Sequence, residues 1–106
     1  MSYTKVDFEE VEPAADGLHM LREPLGCEQL GVSLLTCEPG WEGKPHDHAD
    51  GEQEEVYVLV EGAAVVTVDD EKVPMDAGDA LRIDPDSTRQ IHNGDAESMF
   101  VLAGAP

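Results

Sequence analysis

His46 and His48 are separated by a single residue in the stretch GWEGKPHDHADGEQEEVYVLVEG, which runs from Gly40 to Gly62. On extended backbone, residues two apart point to the same side, so both imidazoles face a common point. Neutral ring nitrogens that converge in this way can share a metal ion. Glu55 heads the apolar run EVYVLV, on what reads as the next strand, and can bring a carboxylate to the same ion. Two histidines and one carboxylate on one face of an ion leave its other positions open to substrate or dioxygen. The same residues also fit a polar turn with solvated histidines, and spacing alone does not choose between the two. Glu54 becomes the carboxylate if the register slips by one, which would turn Glu55 outward.

Such a group works only if rigid elements hold it. Short apolar runs punctuated by turn residues recur at Leu30 to Cys37, Glu55 to Val60, Ala63 to Val68, Lys72 to Met75, Ala80 to Ile83 and Met99 to Leu102. Their β-branched content, short length and regular spacing predict strands. A further short strand is expected at Lys5 to Phe8. No segment carries a long capped 3.6-residue period, so helices should be few. The fold class is therefore all-β, a sandwich or a closed barrel. Residues 1–29 read as an arm packing on a barrel formed by residues 30–106.

Alternation assigns faces. Tyr57 and Leu59 share a side with Glu55, lining a pocket or packing in the core, while Val56, Val58 and Val60 need cover from another sheet or a second copy. Trp41, flanked by glycines in a loop, clamps a ligand or packs at an interface. Arg82 alternates against Leu81 and Ile83 and should project away from the apolar face. Cys37 reads as a small buried hydrophobe, and His19 as a surface residue.

Charge narrows the function classes. The chain has 24 acidic against 6 basic residues and a net charge of −18, which excludes electrostatic binding of nucleic acid or of an anionic membrane surface. The acids are spread along the chain, the pattern of a halophilic protein whose self-repulsion is screened by concentrated salt. The start MSYTKVDFEEVEP lacks the features of a secretion signal, and the two cysteines form no CxxC pair, so a cytoplasmic setting is expected.

Gly40, five residues, His46-x-His48, a short gap, Glu55, six residues and Gly62 together resemble the first motif of the cupins. The gap between His48 and Glu55 is a couple of residues longer than the common pattern, with the excess in Ala49-Asp50-Gly51. A second, more degenerate cupin motif runs from Gly78-Asp79-Ala80-Leu81-Arg82-Ile83-Asp84-Pro85 through Asp86-Ser87-Thr88-Arg89 to Asn93. The resemblance covers roughly Leu30 to Ala105 and implies a jelly-roll barrel (double-stranded β-helix), homodimeric, with a pocket inside for a small molecule. It makes His46, His48 and Glu55 ligands of a divalent transition metal (Fe, Mn, Ni or Zn), in a binding protein, an oxygenase or an isomerase. The family's fourth ligand, a histidine, aligns with Arg89, whose guanidinium has no lone pair to donate. Arg89 then orients a ligand beside Tyr57 and Trp41, or replaces the ion by pairing with Glu55 in a metal-free sensing or structural module. His92 could substitute as a ligand only from the opposite face of its strand.

Overall fold

The structure, a computed structural model, describes residues 2–49 and 52–106. Among the described residues eight strands follow one another: β1 (Leu18–Met20), β2 (Gly31–Cys37), β3 (Glu54–Glu61), β4 (Ala63–Val68), β5 (Glu71–Asp76), β6 (Ala80–Ile83), β7 (Arg89–Asn93) and β8 (Ser98–Ala105). A short helix, α1 (Arg22–Leu25), lies between β1 and β2. The strands form two antiparallel sheets, ordered β1-β2-β8-β3-β6 and β5-β4-β7, which together make the jelly-roll barrel. The Asp50-Gly51 part of the expected insertion lies outside the described residues.

Period-two alternation decides which side chains meet inside. Leu35, Phe100 and Leu59 stand in one register row across β2, β8 and β3, and all are buried. They pack against Val66 and Ile91 of the second sheet in a single core. One row along the sheet come Ser33, Leu102 and Tyr57, and the next is Gly31, Gly104 and Glu55. Two glycines in that last row leave Glu55 with no neighbouring side chain on β2 or β8, so the closely packed core opens into a cavity at this end. Solid core and open site are thus adjacent rows of one sheet.

Turns fix the registers. The β4–β5 hairpin turns through Asp69 and Asp70, both at positive φ, as a tight turn matching the right-handed strand twist requires. Pro74 falls on β5, an edge strand, where a missing N–H costs no ladder bond to a further neighbour. Gly62, at φ +86°, joins β3 to β4 where a Cβ would come within 2.5 Å of the Glu97 carbonyl oxygen. The glycine that closes the first motif is therefore demanded by backbone geometry.

The arm departs from the sequence expectation. No strand forms at Lys5 to Phe8. A 3-10 turn spans Phe8–Glu10 instead, its Asp7 side chain accepting the Glu9 N–H, because aspartate at an N-cap competes with extended pairing. The arm's strand comes later, at β1, which pairs with the edge of β2. His19 is half-buried rather than on the surface, its Nδ1 2.8 Å from the Val11 carbonyl and its ring against Phe8. The closing strand β8 runs longer than Met99 to Leu102, since Ala103-Gly104-Ala105, weak strand formers alone, are held between β2 and β3.

Candidate metal centre

The segment carrying the histidines is extended and pinned along β7. The Trp41 carbonyl accepts the Asn93 N–H at 2.8 Å, the Gly43 N–H donates to Ile91 at 2.9 Å, and His46 exchanges both backbone bonds with Arg89 at 3.0 and 2.8 Å. Beyond it the His48 N–H donates to the Pro85 carbonyl at 2.8 Å. Both imidazoles therefore sit on a backbone anchored to the second sheet, while Glu55 comes from the first. One ligand atom from each of His46, His48 and Glu55 lies within 4.8 Å of the other two.

Hydrogen bonding around the trio leaves lone pairs free. His46 Nδ1 is 3.3 Å from the Lys44 carbonyl, so the tautomer with a proton on Nδ1 frees Nε2 as a donor atom. His48 Nε2 and Glu55 Oε1 are 3.3 Å apart, yet both are buried atoms without a hydrogen-bond partner among the described residues. Buried polar atoms are nearly always paired, and two unpaired ones facing each other mark a place for a third species. A divalent ion fits this donor set: two imidazoles and a carboxylate, with further positions open.

Arg89 lies behind Glu55. Its side chain is 0% exposed against 15% for Glu55, with Nη1 4.0 Å from Glu55 Oε1 and Nη2 donating to the Asp84 carbonyl at 2.9 Å. Nε and Nη1 have no hydrogen-bond partner among the described residues. Arg89 does not line the cavity, so its charge acts on the site through Glu55. The Tyr57 hydroxyl lies beside the same carboxylate. Burial, then the Glu55 charge, push its pKa far above the ordinary tyrosine range, with Arg89 opposing, so the phenol keeps its proton.

The trio opens on a cavity of about 500 Å³. Its wall includes His46, His48, Glu55, Tyr57 and Trp41, with Leu35, Ile91 and Leu102 as apolar lining. The arm contributes Leu18, Met20 and Arg22, and the histidine segment adds Lys44. Sequence reasoning passed over Arg22 and Lys44. The signal that could have found them is scarcity, since each is one of only 6 cations in the chain.

Other singled-out residues fall elsewhere. Glu54 points outward, its carboxylate 3.0 Å from Arg82, so the register holds Glu55 inward. Arg82 projects from the apolar face and also meets Asp84 at 2.6 Å. His92 turns away from the trio to Glu42, 3.2 Å distant. Cys37 is fully buried in the core, where loss of solvent raises its thiol pKa. Asn93 holds the β7 end together: its amide nitrogen donates to the carbonyls of Cys37, Glu38 and Ala96, and its oxygen accepts the Ser98 hydroxyl.

Comparison with known proteins agrees with this architecture. The cupin domain family model matches residues 33–104. A cupin protein from Bacteroides fragilis is 28% identical with a TM-score of 0.86, over 99% of this chain and 85% of its own. A sugar phosphate isomerase from a cupin superfamily, from Silicibacter pomeroyi, is 29% identical with a TM-score of 0.79, over 96% of this chain and 75% of its own. KdgF from Halomonas sp. shares the fold, with 17% identity and a TM-score of 0.78 over 100% of this chain and 94% of its own. No curated protein matches.

Proposed function

The chain belongs to the cupin family, and on that premise we propose that it binds a small molecule in its barrel cavity beside a divalent transition metal held by His46, His48 and Glu55. The observation that carries this reading is the pair of buried, unpartnered atoms, His48 Nε2 and Glu55 Oε1, within a three-donor group. Iron, manganese, nickel and zinc all suit imidazole and carboxylate ligands. When bound, such an ion supplies Lewis-acid polarisation of a ligand oxygen, or dioxygen chemistry if it is iron. Around it, protonated Tyr57 offers a hydrogen-bond donor, Trp41 an apolar wall, and the Arg89 charge compensates Glu55. A likeness to a sugar phosphate isomerase supports a hydroxylated, carbonyl-bearing ligand.

The test is elemental analysis of protein purified without a polyhistidine tag, beside His46→Ala and His48→Ala. Near one ion per chain, lost in both variants, is expected. A metal-free reading has its own support in the buried Arg89 guanidinium 4.0 Å from Glu55, a fixed positive charge that compensates the carboxylate from behind without an ion. Background metal in all three proteins selects it, and the chain is then a metal-free binding or structural module.

Two further properties belong to the proposal. The outer face of the five-stranded sheet carries Leu34, Val58 and Val101 in one row and Val32, Val56 and Ala103 in the next, all half-buried, with Arg82 beside Val56 at the β6 edge. A homodimer through this face would cover it, and sedimentation should give twice the chain mass. No helix among the described residues is long and apolar enough to cross a membrane. A salt-rich cytoplasm fits the charge of −18. In that setting the thermal midpoint rises between dilute buffer and concentrated KCl, and an unchanged circular dichroism melt would remove the halophilic part of the reading.

A further inference from the structure

We propose that Lys44 and Arg22 form an anion-recognising rim on the cavity, so that its ligand is a small organic anion carrying a phosphate or carboxylate. This deepens the ligand-site reading above but does not depend on the metal.

Acids outnumber bases 24 to 6 over the chain, yet the cavity wall holds two cations, Arg22 and Lys44, against two carboxylates, Asp16 and Glu55. Glu55 is already compensated by Arg89 behind it. Among the described lining residues, only Asp16 then opposes an incoming anion. The surface elsewhere repels anions, so a rim with excess positive charge is a local departure from the whole chain.

The two cations come from opposite walls. Lys44 precedes His46 on the segment running along β7 of the smaller sheet, and Arg22 begins α1 on the arm, next to β1 at the edge of the larger one. Among the described residues neither has a carboxylate within 4.0 Å, whereas Arg82 is paired twice. Lys5 and Lys72 do not line the cavity. Arg22 is also held in place: its Nε donates to the Cys27 carbonyl at 3.4 Å and its Nη2 to that of Glu28. Those acceptors are neutral, so they fix the guanidinium without cancelling its charge, and Nη1 remains to meet an oxyanion. Leu35, Ile91 and Leu102 line the same cavity, so a ligand that fills it meets the donor group, an apolar wall and the two cations together.

The test compares three probes on one carbon skeleton, glucose, gluconate and glucose 6-phosphate, by calorimetric titration at moderate salt. Each is run on zinc-loaded and on EDTA-treated protein. The anions should bind about tenfold or more tightly than glucose with and without zinc, the phosphate or the carboxylate leading according to source. Lys44→Gln and Arg22→Gln should each remove most of that preference, and added KCl should erode it while leaving glucose binding unchanged. Circular dichroism melts keep misfolding out of the comparison, and an unaltered metal content in both variants separates the rim from the metal centre. Equal affinity for glucose and the anions, or binding of none of them, overturns the proposal. So does an anion preference that disappears with EDTA and survives Lys44→Gln and Arg22→Gln, which would assign the selectivity to the metal alone.

Discussion

Glu54 and Glu55 are neighbours on β3, each faces an arginine, and the two pairs could hardly differ more. On the outside, Arg82 meets Glu54 at 3.0 Å and Asp84 at 2.6 Å, with both partners of the first pair 58% exposed. On the inside, Arg89 and Glu55 stand 4.0 Å apart at 0% and 15% exposure, and three of their polar atoms have no hydrogen-bond partner among the described residues. The outer cluster is complete and worth little, because water and salt screen it. The inner one is incomplete where incompleteness is costly. Buried polar atoms left without partners beside His46 and His48 fit the addition of a further component there.

The inner pair is most sensitive at Arg89. Arg89→Met removes the buried partner of a buried carboxylate and should cost about 3–5 kcal/mol in metal-stripped protein, measured by urea unfolding. Adding zinc should restore part of that loss, since an ion at Glu55 replaces the missing charge. A cost below about 1 kcal/mol without metal would put the inner pair in the same class as the outer one. Next in size, Arg89→His removes a fixed charge from beside the ion and puts imidazole where the family's fourth ligand aligns. Zinc affinity should rise by about tenfold or more in a competition titration, and a fall would detach Arg89 from the metal site. The smallest effect belongs outside: Arg82→Ala should change unfolding free energy by no more than about 1 kcal/mol and metal content not at all.

Much of this was legible in the sequence for a physical reason. Alternation in EVYVLV places Glu55, Tyr57 and Leu59 on one face with Val56 and Val58 on the other, and the sheet register keeps that assignment. Strands β2 and β4 were readable because β-branched residues between turn signals leave few alternatives, and β6 because its short apolar run lies between Gly78-Asp79 and Asp84-Pro85. The arm was not: Leu18-His19-Met20 is too short to show a period, and its strand forms only because β2 offers an edge. The open end of the barrel was equally hidden, since Gly31 and Gly104 are far apart in sequence and become a cavity floor only when β2, β8 and β3 align. The trio's spacing could be read; the full burial of Arg89 could not, because an arginine is ordinarily exposed and only tertiary packing reverses that.

On the reading proposed here, His46, His48 and Glu55 hold an ion despite the guanidinium behind them. Titrating metal-stripped protein with cobalt(II) and recording its visible absorption tests this directly, because coordination by imidazole nitrogen changes the ion's spectrum. One saturable equivalent per chain, with the bands lost in His48→Ala and weakened in Glu55→Gln, is the result this account predicts. A spectrum indistinguishable from aqueous cobalt at saturating metal, in protein shown by circular dichroism to be folded, would contradict it.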